Sequence, residues 1–150
     1  MKLIYEIPPV AQARPRFSKR GNKVIVYTTH KSRQFRRDIR LATIVQQRNS
    51  QKAVNHRVSV FVTFYRQTPS SYSKKQTEEA EIGLITPVTR PDTDNYLKAL
   101  LDALSGLAYT DDKLITDIYS RKRYSIRPRI ECEICDFENF RELVLADLSS

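Results

Sequence analysis

The chain has 150 residues, enough to bury one sizeable apolar core without disulfides or a structural metal. Its composition, 40% hydrophobic and 29% charged, is that of an ordinary globular protein, and no apolar run nears the roughly 20 residues that a membrane-spanning helix needs. The net charge is +9, but six acids against the single base Arg141 give positions 131–150 a charge of −5 and leave +14 on the rest. A surface this basic attracts polyanions, of which nucleic acid is the commonest in a cytoplasm.

In chain order, Met1, Leu3, Tyr5 and Ile7 alternate as one face of a strand, without the apolar core of a signal peptide, so a cytoplasmic protein is expected. Pro8–Pro9 breaks the alternation, and Ala13–Phe17 follows as an extended basic segment carrying Arg14 and Arg16. Gly21–Asn22 reads as a turn into a short strand at 24–27. Thr28–Thr29 can cap a helix from about His30 to Gln47, with Phe35, Ile39 and Ala42 as its buried stripe. Arg33, Arg36, Arg37 and Arg40 form the opposite ridge. Ten Lys or Arg and one acid, Asp38, lie between Arg14 and Arg40, so the ridge resembles a phosphate-contacting surface more than a solvated face of mixed charge.

The clearest strand covers 58–65, with Val58, Val60, Val62 and Phe64 on one face. The polar stretch from Gln67 to Arg90, with a short helix around Ser73–Glu81, is long enough to be a functional connection. A helix follows at about Thr93–Leu104, stopped by Gly106. Ile115–Tyr124 and Arg129–Ile134 read as two strands of a hairpin, and Phe137–Leu148 as a short helix in an acidic tail at about 136–150. Cys132 and Cys135 have the spacing of a zinc or redox pair. Strand alternation puts them on opposite faces, there is no second pair, and His30 and His56 are isolated, so two unconnected thiols are expected. With no internal repeat and no second apolar core, the pattern predicts one α+β domain over 1–150.

The chemistry concentrates in Arg90–Leu104. Pro91 disfavours helix before it, so the helix starts near Asp92 or Thr93. Tyr96, Leu97, Leu100, Leu101 and Leu104 form its apolar stripe, and Asp94, Lys98 and Asp102 are expected along the margin of that stripe. Asp at a helix start can simply cap it, and Asp94–Lys98 can be a plain i,i+4 pair. Paired carboxylates in a basic protein also suit a hard divalent cation, which on a phosphodiester would activate water and offset the charge on the leaving oxygen. A neighbouring lysine would stabilise the transition state. Asp111–Asp112 offers a third carboxylate, and spacing alone leaves open which of the two serves.

Arg90-Pro-Asp-x-Asp-Asn-x-x-Lys-Ala-x-x-Asp-Ala-Leu, then Gly106 and Tyr109-Thr-Asp-Asp112, closely resembles the RusA family of Holliday junction resolvases. Weaker likenesses lie at Ile7-Pro-Pro9 with Ala13-Arg-Pro-Arg16, at Ser71-Tyr-Ser-Lys-Lys75 and at Arg121-Lys-Arg-Tyr124, so that about residues 3 to 135 are covered. The resemblance implies a mixed β-sheet flanked by helices in a bacterial, often prophage-borne protein. It also implies catalytic and metal-binding roles for Asp92, Asp94 and Asp112, with Lys98 as the catalytic lysine. The cofactor implied is Mg2+, with Mn2+ as a substitute, and the partners are four-way junction DNA and a second copy of the chain, two symmetric nicks requiring two equivalent sites. DNA contacts are expected from Arg14, Arg16, Arg33, Arg36, Arg37, Arg40, Lys74 and Lys75. The competing readings are a non-catalytic DNA-binding or architectural protein, and a nuclease for other branched DNA or RNA.

Overall fold

The computed structural model describes residues 1–48 and 52–150. Its elements run β1 (Lys2–Tyr5), β2 (Arg16–Arg20), β3 (Lys23–Tyr27), α1 (His30–Gln46), β4 (Val58–Gln67), α2 (Lys74–Glu81), α3 (Thr93–Leu104), a 3-10 turn (Asp112–Leu114), β5 (Ile115–Ser125), β6 (Arg129–Cys135) and α4 (Phe137–Leu148). β4 is the one strand whose residues are buried on both faces over most of its length, and it accordingly lies inside the four-stranded sheet β1-β6-β4-β5. β5 pairs with it in parallel and β6 antiparallel, which makes the sheet mixed and the fold α+β. β5 and β6 therefore do not form the hairpin expected from their short connection. β4 stands between them, and residues 126–128 cross its end over two strand spacings, about 10 Å.

Alternation sorts the sheet into two faces. Val58, Val60, Val62 and Phe64 of β4, Ile130, Cys132 and Ile134 of β6, and Leu3 and Tyr5 of β1 form one apolar layer with Phe35 and Ile39 of α1 and Tyr96, Leu100 and Leu104 of α3. On the other face lies α4, where Tyr119 and Arg121 of β5 hydrogen-bond Asp147. Cys132 is buried and Cys135 half-buried, both as free thiols, and burial pushes the Cys132 thiol up to about 12, as suits a packing role.

The buried side of α1 is Phe35, Ile39 and Thr43 instead of Ala42. Thr43 is tolerated there because its hydroxyl donates to the Ile39 carbonyl (2.7 Å) and bonds the Tyr5 hydroxyl (2.7 Å). The basic segment ends in a hairpin of which the sequence pattern indicates only the turn and the second strand. β2 pairs with β3 around Gly21, whose φ of +61° suits glycine, and none of the ten paired residues is buried. No helix among the described residues is long and apolar enough to cross a membrane.

Candidate active site

Asp92 is the N-cap of α3 and Asp94 lies in its first turn. Thr29, Ser73, Asp111 and Asp136 stand at the starts of the other helical elements, and each accepts a hydrogen bond from an amide two or three residues on. Asp92 makes no such bond. Its carboxylate is thus not engaged in the one structural task that its position offers. Nor do Asp92, Asp94, Lys98 or Asp112 enter any ion pair among the described residues, so Asp94 and Lys98 are not joined as a simple i,i+4 bridge.

The second acidic pair divides in the same way. Asp111 accepts from the Lys113 amide (3.0 Å) and pairs with the Lys113 ammonium (3.5 Å); the amide bond first, with that charge beside it, holds its carboxyl below the ordinary range. Asp112, exposed at the start of the 3-10 turn, makes no cap bond and enters no ion pair among the described residues. Its position is marked by Tyr109, a buried tyrosine whose hydroxyl donates to the Leu101 carbonyl (2.8 Å). Burial, and then the charge of Asp112, raise that hydroxyl well above the ordinary phenol range. Asp112 therefore lies beside Tyr109, level with Leu101 and Asp102.

Asp94 is seven residues before Leu101, or about 10 Å along a helix that rises 1.5 Å per residue. Within one chain the structure brings Asp92 and Asp94 to one end of α3 and Asp112 towards the other. Among the described residues no three His, Cys, Asp or Glu side chains are close enough together to hold a metal ion. Asp94 and Lys98 stand further from the core than their spacing suggested, both being exposed, whereas Asp102 is half-buried beside the cleft between α1 and α3. Ala99 and Ala103 are buried where Leu97 and Leu101 were expected, the latter two being half-buried. Small residues at 99 and 103 allow α1 to approach that side, which turns the helix and moves Asp94 and Lys98 into solvent.

Several of the basic residues lie near this helix. The Gln12 amide donates to the Asn95 carbonyl (3.0 Å), so the segment carrying Arg14 and Arg16 leaves from the first turn of α3. Arg33 and Arg36 line a cleft with Val10, Gln12, Ala99 and Asp102. Arg37 is exposed and bonds Gln34. Arg40 is half-buried and committed elsewhere, donating to the carbonyls of Ala103 (3.0 Å) and Ser105 (3.2 Å) at the end of α3, where a cation complements the helix dipole. Lys74 and Lys75 are exposed in the first turn of α2.

Two basic residues given no role on sequence grounds, Arg66 and Lys122, bind the residues just ahead of Asp92. Arg66 donates to the Thr89 carbonyl (3.2 Å), and Lys122 donates to the carbonyls of Thr89 (2.9 Å) and Pro91 (3.0 Å). Their strand parity was legible, since 64, 66, 122 and 124 share the core-facing sense. That β4 and β5 lie side by side, with Phe64 opposite Lys122, was not.

The fold is a mixed sheet with an acid-bearing helix, α3, on one face and basic side chains near that helix, and comparison with known proteins gives its class. The family model for endodeoxyribonuclease RusA matches residues 6–135, and the chain belongs to that family of nucleases. It is 42% identical over 128 residues to the uncharacterized protein YqaN of Bacillus subtilis (strain 168), a match spanning 84% of this chain and 89% of that protein. α4 lies outside the matched region.

Proposed function

We propose that this chain is a structure-specific DNA endonuclease that resolves four-way junctions by paired, symmetric, metal-dependent hydrolysis of phosphodiesters, in recombination and repair. The observation that carries this reading is the employment of the acids. Asp111 and Asp136 cap helical starts, whereas Asp92, Asp94 and Asp112, the positions matching the family motif, are left free of any capping or ion-pairing partner.

The donor set suits Mg2+. Carboxylate oxygens are the ligands a hard cation selects, and Mg2+ takes one or two of them while keeping several waters and adding substrate phosphate oxygens. Asp92 and Asp94 at the head of α3 would hold it, with Asp112 as the third acid. When bound, the ion supplies charge neutralisation at the phosphate and an activated water. Lys98, exposed one turn after Asp94, is available to a phosphate oxygen as charge develops there. Arg14, Arg16, Arg33, Arg36, Arg37, Lys74 and Lys75 would attract and orient the DNA backbone, which fixes register without reading sequence.

A homodimer suits this chemistry. Two symmetric nicks require two sites related by a twofold axis, and a second copy gives Asp112 another route to the first-turn acids. α1 carries exposed Leu41, Ile44 and Val45, each at least half accessible, as apolar surface available to such a copy.

The test is cleavage of labelled junction, flap, duplex and RNA substrates in Mg2+ by the wild-type protein and by Asp92→Asn and Asp94→Asn. Asn caps a helix about as well as Asp, so Asp92→Asn leaves α3 intact. Paired nicks in the junction, lost in both variants while folding and junction binding persist, are expected. Unchanged nicking in either variant removes that residue from the site. Preferential cleavage of a flap or of RNA replaces the substrate named here.

A further inference from the structure

We propose that Lys122, with Arg66 beside it, is a positioning residue that sets the geometry and the local field of the acids at the head of α3. This rests on the reading of Asp92 and Asp94 as the catalytic acids. β4 and β5 are parallel neighbours in which Phe64 stands opposite Lys122 and Arg66 opposite Tyr124, so these four side chains leave the sheet on the face that α3 covers. Three of them fasten the start of that helix. The Phe64 ring stacks on Tyr96 at 5.5 Å. The Arg66 guanidinium donates to the Thr89 carbonyl (3.2 Å) and its hydroxyl oxygen (3.3 Å), and the Lys122 ammonium donates to the carbonyls of Thr89 (2.9 Å) and Pro91 (3.0 Å). The Pro91 carbonyl belongs to the peptide immediately before Asp92.

Helix stability does not account for a cation at that place. The N-terminus of a helix carries the positive end of its dipole, where a further positive charge is unfavourable by a few tenths to about 1 kcal/mol. The Lys122 ammonium serves the acids instead. Two carboxylates held within one turn repel each other, and a cation nearby lessens that repulsion. Lys122 supplies its charge without entering an ion pair with either acid, so their oxygens stay available to an ion. Two of the three ammonium donors go to backbone carbonyls, an arrangement that fixes the charge in place. Groups that orient metal-binding carboxylates from behind typically change metal affinity or activity 10- to 100-fold when removed.

The experiment compares Lys122→Met, which keeps the apolar stem, and Lys122→Arg, which keeps charge and donors, with the wild-type protein. Three quantities are measured: Mn2+ affinity from the paramagnetic resonance of the free ion, single-turnover junction cleavage against Mg2+ concentration, and junction binding in Ca2+ alongside thermal melting. Lys122→Met should lose about 10- to 100-fold in Mn2+ affinity and in cleavage at low Mg2+, with junction binding and melting near wild type, and Lys122→Arg should recover most of the loss. Wild-type Mn2+ affinity and cleavage in Lys122→Met would overturn the proposal. So would losses that simply track a fall in melting temperature or in junction binding, which is what a purely structural tie predicts. Full cleavage by Asp92→Asn would instead sink the reading of the acids, and the Mn2+ titration would then judge Lys122 by itself.

Discussion

Substituting Asp111 and Asp112 one at a time separates two carboxylates that are adjacent in sequence and different in use. Asp111 accepts from the Lys113 amide at the head of the 3-10 turn, whereas Asp112 has no such bond and lies beside the buried Tyr109. Asp111→Asn should leave melting and cleavage close to wild type, because Asn caps as well as Asp, and Asp111→Ala should lower the melting temperature without abolishing cleavage. Asp112→Asn should do the reverse, abolishing cleavage at an unchanged melting temperature. A cleaving Asp112→Asn protein would remove Asp112 from the proposed site. The pair also shows where residue-level reading stops. Both are Asp, both follow Thr110, and only the family likeness prefers the second until the cap bond of the first gives an independent reason.

At the scale of elements, α3 is held at both ends by cations with opposite relations to its dipole. Arg40 of α1 binds the Ala103 and Ser105 carbonyls at the C-terminal end, where positive charge is favourable. Helical spacing groups it with Arg33, Arg36 and Arg37 as a phosphate contact, since all four share a ridge. Replacing Arg40 with Met should cost about 1 kcal/mol of stability, read from denaturant unfolding, and change DNA affinity by less than an exposed ridge arginine does. A neutral effect on stability would return Arg40 to the DNA-binding set. A long side chain at the helix margin can turn back towards a neighbouring helix, and that depends on α1 and α3 being adjacent.

For the whole molecule, the charge asymmetry read from composition becomes spatial. The bases of the N-terminal third meet α3 through the Gln12–Asn95 hydrogen bond and the cleft between α1 and α3, while the acidic tail folds as α4 against the other face of the sheet. Neutralising Arg36 and Arg37 together should weaken binding to every DNA sequence and lower the slope of log affinity against log salt by about one for each phosphate no longer neutralised. An unaltered slope would mean that the ridge does not face the DNA backbone.

Periodicity and punctuation in the sequence determined where most elements lie: the alternation of 58–65, the caps at Thr29 and Ser73, the Pro91 boundary of α3, the α4 span and the opposed faces of Cys132 and Cys135. These are local matters, set by side-chain spacing and by which residues can satisfy a helix end. The motif from Asp92 to Asp112 likewise singled out the acids and the lysine on which the proposed chemistry rests. Tertiary structure alone decided that β4 separates β5 from β6, that Ala99 and Ala103 turn α3 so that Asp94 and Lys98 face solvent, and that Arg40, Arg66 and Lys122 bind backbone carbonyls around that helix. Each of these depends on which distant segments become neighbours, and that follows from how the apolar faces share one core.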